Sequence, residues 1–276
     1  MLEFSKKSSN TSLILQKKNI GAAKNHIDLI SKPLTKYTAY LEGDDYWTDP
    51  HKLQKQVDYL EANPECSICT HWVKTRDETG QGIGEYDLTI DGLKENIFGN
   101  DLFNLNLDPR PLLGAAYHPS SWVFRQSLVK EIPSWNLKIA GGDDVLFTTF
   151  LRHGYCHRIS EYMSTYRIHT TSSWSPLAVH EKGIKNLQFL LNVQKHYEEY
   201  TQAIKNCLTF LLKKYQDWPL TNSELKQLWK HAFAIGRKDL AIAKELLIFV
   251  LRVWLFYFFQ KSKSCVKVFL GKFKHS

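Results

Sequence analysis

An alternation of strand-like and helix-like segments over the first two thirds of the chain most constrains its fold. Runs rich in strand formers, such as "YTAYLE" and "CSICTHWVKT", alternate with segments whose apolar residues recur at helical spacing, such as "IGAAKNHIDLIS". This alternation is typical of a layered α/β domain with at least partly parallel strands. The sequence therefore predicts an α/β domain over residues 1–175, in which "TSLILQ" is a further short strand.

Local signals place the remaining elements of this domain. Asp49 and Pro50 make a favourable N-cap and first-turn pair. They predict a helix that buries Leu53, Val57 and Leu60 on one face. Further along the chain, "SSWVFR" predicts a strand, "DDVLFTTFLRHG" a helix ended by its glycine, and "EYMSTYRIH" a last strand.

Residues 176–276 have a different character and predict a helical C-terminal region with a basic tail. Nine Lys and Arg against two acids between 235 and 276 account for +7 of the net charge of +8. The apolar run from Leu246 to Phe259 is shorter than the ~20 residues that a membrane span needs. An apolar helix beside a polybasic tail suits binding to anionic lipid, so residues 241–276 predict peripheral membrane contact. The alternative is a core helix with a solvated basic end.

The cysteines and the N-terminus bear on the cellular compartment. The five cysteines form no disulfide-scaffold pattern, and "CSIC" reads as two buried thiols of a strand. The first ten residues contain no apolar core of a secretory signal. We therefore expect a cytoplasmic location, on the inner face of the membrane if the tail binds lipid. The basic charge lies beside an apolar helix rather than along an aromatic-studded groove, so the sequence predicts no nucleic-acid binding.

Two adjacent carboxylates, Asp44 and Asp45, follow a predicted strand. Ligands of open α/β sheets bind beyond the carboxyl ends of the strands. Hard divalent cations such as Mg²⁺ and Mn²⁺ bind carboxylate oxygen and usually also substrate phosphates. The pair therefore predicts a metal or diphosphate site, and its alternative is a simple turn or helix cap.

The stretch "EGDDYWTDPHKLQKQVDYLEANPE" resembles the region around the metal-binding Asp motif of family 2 glycosyltransferases of the GT-A fold. "NIGAAKN" precedes it, and "HPSSWVFR" and "GGDDVLFTTFLRHGYCHRISEYMSTYRIH" follow it, in the order found in that family. The resemblance covers residues 13–174 and is closest to the subgroup that acts in bacterial surface polysaccharide synthesis. It implies a GT-A-type mixed sheet followed by the helical region.

The resemblance implies roles for residues on the donor side. Asp45 would ligate the divalent ion, Mn²⁺ or Mg²⁺, that bridges the nucleotide diphosphate. Asp44 would contact the nucleotide ribose or the donor sugar. Arg167 and His169 match the family's "YRxH" positions and would lie near the diphosphate.

On the acceptor side, Asp143 matches the family's catalytic base. Asp144 occupies a position that usually holds Trp, which leaves open which of the two carboxylates faces the acceptor. A carboxylate can remove the proton of an acceptor hydroxyl, especially when a neighbouring charge raises its pKa. Both residues could otherwise serve only as caps of the following helix.

The function implied by the resemblance is transfer of a sugar, with inversion, from a nucleotide-sugar donor to a saccharide or lipid-linked saccharide acceptor. The family opens with strands that bind the nucleotide base, and the sequence has no counterpart of the first of them, so we expect a GT-A sheet that lacks its first strands. One alternative is an inactive remnant that binds membrane or carbohydrate. Another is a metal-dependent phosphate-ester hydrolase, which would leave "SSWVFR" and "YRIH" unexplained.

Overall fold

The computed structural model describes residues 10–79, 94–104, 117–138, 142–171 and 177–214, with eight further positions between 226 and 251. These residues form a mixed α/β architecture in which helices pack on a six-stranded sheet. The strands are β1 Tyr37–Ala39, β2 Tyr46–Trp47, β3 Cys66–Arg76, β4 Asn96–Ile97, β5 Val123–Arg125 and β6 Tyr155–Arg167. The α-helices are α1 Ala22–Ile30, α2 Lys52–Ala62, α3 Gly99–Asn104, α4 Gly142–Leu151, α5 Val179–His196 and α6 Thr201–Lys214.

The sheet brings the carboxyl ends of three strands to one edge. Its order is β1-β5-β3-β6-β2, and β4 also pairs with β6. β3 and β6 are parallel from Cys66 opposite Tyr155 to Arg76 opposite Arg167. β5 is antiparallel to both β1 and β3, so β1 runs in the same direction as β3 and β6. Residues that follow β1 and β6 therefore lie at the same edge of the sheet.

The central strand β3 is covered on both faces, as expected for a strand with a parallel neighbour. Nearly all residues of its first half are buried, including the thiols of Cys66 and Cys69. Burial raises the pKa of Cys66 to about 11 and that of Cys69 to about 12, so both remain protonated at neutral pH. The prediction of two buried thiols at "CSIC" is confirmed.

The buried face of α2 agrees only in part with the predicted one. Leu60 is buried and Val57 packs against the same cluster, as predicted, whereas Leu53 is exposed and Lys52 and Gln56 are buried as well. Two hydrogen bonds account for the burial of Gln56, because its Nε2 donates to the carbonyls of Cys69 and Ser121, at 2.7 and 2.8 Å. These bonds turn the glutamine face of the helix toward the sheet.

Three predicted boundaries also need correction. α2 begins at Lys52 rather than at Pro50, because Asp49 accepts the His51 N–H and holds an extra turn ahead of the helix. α4 ends at Leu151, ahead of the glycine predicted to end it. "TSLILQ" is not a strand, since it pairs with no strand among the residues that the structure describes and Leu15 is 70% exposed.

The helical segment after residue 177 shares its core with the sheet. Leu187 and Leu191 of α5 and Ile204 of α6 belong to the same buried cluster as Trp122 and Phe147. The prediction of helices is confirmed for residues 179–214. Most of the predicted interfacial helix and the basic tail lie outside the described residues. Within the part of the chain that the structure describes, no helix has the length and apolar character needed to cross a bilayer.

Gly154 is required where the turn after α4 passes the start of β3. A Cβ at this position would lie 2.2 Å from the carbonyl oxygen of Glu65 and 3.1 Å from Cβ of Ser67. We expect Gly154→Ala to lower the free energy of unfolding by about 1–3 kcal/mol, because backbone must move to admit the methyl group. Urea unfolding measures the loss, with Gly43→Ala as control because that Cβ meets no atom within 4 Å. Equal stability of the two variants would contradict the prediction.

Candidate active site

A turn between β1 and β2 presents Asp44 and Asp45. The backbone N–H of Asp45 donates to the carbonyl of Glu42 at 3.2 Å and closes the turn. Just ahead of it, the N–H of Tyr40 bonds to the carbonyl of Trp122 at 3.1 Å, which anchors the end of β1 to its neighbour. The two aspartates and Glu42 are thereby fixed at the shared carboxyl edge of the sheet.

The Asp45 side chain is fully buried and joins three segments of the chain. One carboxylate oxygen accepts a hydrogen bond from the Ser120 hydroxyl, and the other accepts the backbone N–H of Arg167 at 3.0 Å. The Nδ1 atom of His118 lies 3.5 Å from the first oxygen. Burial raises the pKa of Asp45, against the lowering effect of the bond from Ser120. Asp45 therefore holds three segments of the site together, and its carboxylate can also supply a negative charge.

Asp44 is the more open of the pair, with 41% of its side chain exposed. Its carboxylate lies 2.8 Å from His169 Nε2, and Arg167 Nε donates to its backbone carbonyl. Burial alone would raise the pKa of Asp44, but the hydrogen bond from His169 and the nearby cationic side chains hold it below its usual value. Asp44 is consequently ionised near neutral pH and held by two residues that follow it by more than 120 positions.

Glu42 and His118 are site residues that the sequence-based prediction missed. Glu42 Oε2 lies 3.6 Å from His118 Nε2. Burial, followed by the negative charges of Asp143, Asp45 and Asp44, raises the pKa of Glu42 to about 8. Burial also lowers the pKa of His118 to about 4, so its imidazole is neutral at pH 7. Both residues lie within quoted motifs, but only the fold shows that they are neighbours.

Glu42, Asp45 and His118 form a set of donors that suits a divalent cation. One donor atom from each of the three lies within 4.8 Å of the others. Two carboxylates with a neutral imidazole are ligand types that Mn²⁺ accepts, and a cation would relieve the repulsion among the acids. These side chains therefore fit a divalent ion, and the Asp45 of the predicted metal site belongs to the set.

The second aspartate pair lies in the first turn of α4. Asp143 Oδ1 is 3.7 Å from His26 Nδ1. The partial burial of Asp143, whose side chain is 45% exposed, raises its pKa, and the neighbouring His26 opposes the increase. Burial and the charge of Asp143 together raise the pKa of Asp144 to about 8. The charge of Asp143 also acts on Glu42, which lies beside the first aspartate pair.

Residues far apart in the sequence thus converge on one acidic site. Six predicted residues contribute to it, namely Asp44, Asp45, Asp143, Asp144, Arg167 and His169. Glu42 makes the fifth carboxylate. Carboxylates at short range raise one another's pKa values, so the arrangement favours either a bound cation or a proton held among them. Both outcomes are useful for chemistry on a phosphorylated substrate.

Comparison with known proteins gives relatives but no function. No family model matches the chain. Over 87 residues it is 44% identical to an uncharacterized protein of Mycobacterium bovis (strain ATCC BAA-935 / AF2122/97). Uncharacterized proteins of two Mycobacterium tuberculosis strains, CDC 1551 / Oshkosh and ATCC 25618 / H37Rv, match to the same extent. The matched segment is 29% of this chain, and the chain spans about a quarter of the length of these curated relatives.

Proposed function

We propose that the chain is a glycosyltransferase of the GT-A type, related to family 2. It would move a sugar from a nucleotide-sugar donor to a saccharide or lipid-linked saccharide acceptor, with inversion, in cell-surface polysaccharide synthesis. One observation carries the proposal. Asp44 and Asp45 follow β1 at the end of the sheet where ligands of α/β sheets bind, and Asp143, about a hundred residues further along the chain, raises the pKa of Glu42 beside them.

The donor side of the site would hold a diphosphate. Asp45, with Glu42 and His118, would hold Mn²⁺ or Mg²⁺. Such an ion neutralises the charge that develops on a leaving diphosphate. Arg167 and His169, which flank Asp44, would contact the diphosphate from the end of β6.

The acceptor side would use Asp143 as the base. The negative charge of Asp143 raises the pKa of Glu42, which lies on the donor side of the site. For Asp144, the neighbouring charge that raises the pKa is that of Asp143. Asp143 would take the proton of the acceptor hydroxyl as that oxygen attacks the anomeric carbon. The bond from this carbon to the diphosphate breaks with its electron pair on the leaving group, and attack from the opposite face of the sugar gives inversion.

This function places the protein in the cytoplasm, where nucleotide sugars are its donors. We propose that residues 241–276 hold it at the inner face of the membrane, next to a lipid-linked acceptor, through their apolar and basic side chains.

Calorimetric titration with UDP, GDP and their sugars, with and without Mn²⁺, tests the donor site. We expect Mn²⁺-dependent binding that Asp45→Asn weakens by at least about 10–100-fold, because the variant removes a charged metal ligand at nearly constant size. Glu42→Gln tests the same site at a residue that is only partly buried, which keeps the result interpretable if Asp45→Asn unfolds.

Asp58→Asn is the matched control, because this exposed carboxylate contacts only Gln54 of its own helix in the described hydrogen bonds. Binding that needs no metal and survives both site variants would contradict the metal assignment. A folded chain that binds no nucleotide would favour the alternative of an inactive remnant.

A further inference from the structure

His26 of α1 is held in place beside the second aspartate pair. Only 12% of its side chain is exposed. Its ring stacks on that of Tyr40, with the ring centroids 4.4 Å apart and the planes at 21°. Tyr40 in turn is anchored by its backbone bond to Trp122. The imidazole therefore has a fixed orientation at the edge of the site, although nothing in the helical pattern of α1 requires a histidine there.

The stacked ring directs a nitrogen toward the candidate base. His26 Nδ1 lies 3.7 Å from Asp143 Oδ1, within the range of an ion pair. Asp143 on α4 and Tyr40 after β1 are the titratable groups that face His26. Asp143 itself is also faced by Glu42 and Asp144. Among these neighbours of Asp143, His26 alone is able to carry a positive charge.

We propose that His26 is a positioning residue for Asp143: a proton on its Nδ1 atom orients the Asp143 carboxylate toward the acceptor. The inference rests on the proposed function. The acceptor hydroxyl loses its proton to Asp143 as its oxygen bonds to the anomeric carbon, and the electron pair of the broken bond leaves with the diphosphate. The proton then passes from Asp143 to solvent, to which 45% of that side chain is exposed.

The surrounding charges explain why such a partner is needed. Partial burial favours the protonated form of Asp143, and His26 opposes that effect, so an N–H beside the carboxylate favours the ionised base. Burial lowers the pKa of His26, and the charge of Asp143 opposes the decrease. A base oriented by a third group is a recurring arrangement in enzymes that activate hydroxyls.

Two substitutions at His26 separate its roles. His26→Phe keeps the stack on Tyr40 but removes both nitrogens, and we expect kcat to fall by about 10–100-fold with KM little changed. His26→Asn keeps an N–H near the position of Nδ1, which can still orient the carboxylate. It should recover part of the lost kcat while the acidic limb of the kcat–pH profile shifts. His153→Asn is the control, since that histidine is exposed in the turn after α4.

An NMR titration of the imidazole signals tests the pairing without any substrate. In the full chain we expect the midpoint of His26 to fall in Asp143→Asn, because the carboxylate charge that raises it is gone. An unchanged midpoint overturns the inference whatever the activity. The inference is also overturned if the titration shows that His26 is paired with Asp143 but both His26 variants match the wild type in kcat and in pH profile. That result leaves the proposed function intact. A wild-type chain that turns over no nucleotide sugar overturns the proposed function and this inference together.

Discussion

Asp143→Asn is expected to lower kcat by about 10²–10⁴-fold and to leave the affinity for the nucleotide-sugar donor unchanged. The amide has nearly the size of the carboxylate but takes no proton from the acceptor hydroxyl. The donor contacts proposed for Asp44, Asp45 and Arg167 remain in this variant. Steady-state kinetics with a saccharide acceptor measure kcat, and calorimetry of the same preparation measures donor affinity.

Asp144→Asn is the matched comparison, because it makes the same chemical change one residue along α4. We expect a smaller effect on kcat, since the charge of Asp144 is coupled to Asp143 and not to the donor side. The reverse order of effects would assign the base to Asp144. The raised pKa of Asp143 also predicts that wild-type activity declines on acidification at a higher pH than an ordinary aspartate would give, because the base must be ionised.

Lys52→Met is expected to stabilise the protein near pH 7 and to destabilise it near pH 10. Lys52 is almost fully buried, its ammonium 2.8 Å from Gln56 Oε1 and 4.4 Å from the ring centre of Trp47. Burial lowers its pKa from 10.5 to about 7. Between these two values the unfolded chain holds a proton that the folded chain has lost. Stability therefore rises with pH in this window, by up to about 1.4 kcal/mol per pH unit.

Methionine removes the titration and fills much the same volume. At pH 6–7 the variant avoids burying a charge, and we expect it to be about 1–3 kcal/mol more stable than the wild type after the loss of the bond to Gln56 is counted. At pH 10, where Lys52 is neutral, only that lost bond remains, and the variant should be about 1–3 kcal/mol less stable.

Urea unfolding from pH 6 to pH 10 measures the difference between the two proteins, in which titrations common to both largely cancel. Lys55→Met provides the control, since Lys55 is more exposed and pairs with Asp49 and Glu161. Its stability should run parallel to that of the wild type above pH 7. If the stability of Lys52→Met also runs parallel to that of the wild type above pH 7, the Lys52 ammonium is not desolvated in the folded protein.

The extent of agreement between sequence and structure differs from element to element. β3 was predicted because a long run of strand formers is typical of a strand buried along most of its length, whereas only the second part of β6 was predicted, since the strand begins at Tyr155 rather than at Glu161. "TSLILQ" has the same local composition, yet it forms no strand because strand formation depends on a partner. The buried face of α2 was predicted only in part for a related reason: Leu60 is buried and Val57 partly buried, but Leu53 is exposed. Apolar spacing could not reveal that Gln56 satisfies two backbone carbonyls from other segments.

The residues of the candidate site also differ in whether the sequence or only the structure identified them. Asp44, Asp45, Asp143, Asp144, Arg167 and His169 were identified from short motifs whose order resembles that of a known family. Glu42 and His118 lie within those motifs, but their role in the site comes from their contact with each other across 76 positions. His26 is held by its stack on Tyr40 and lies beside Asp143, 117 positions away.

The sequence by itself determined the α/β class, the helical character of residues 179–214 and the residue types available to the site, because these depend on local periodicity and composition. Only the tertiary structure decided which side chains are neighbours, which are buried and how their pKa values shift. Long-range strand pairing sets those properties: the parallel alignment of β3 and β6 carries Arg167 and His169 to the turn that holds Asp44. No window of local sequence contains that alignment.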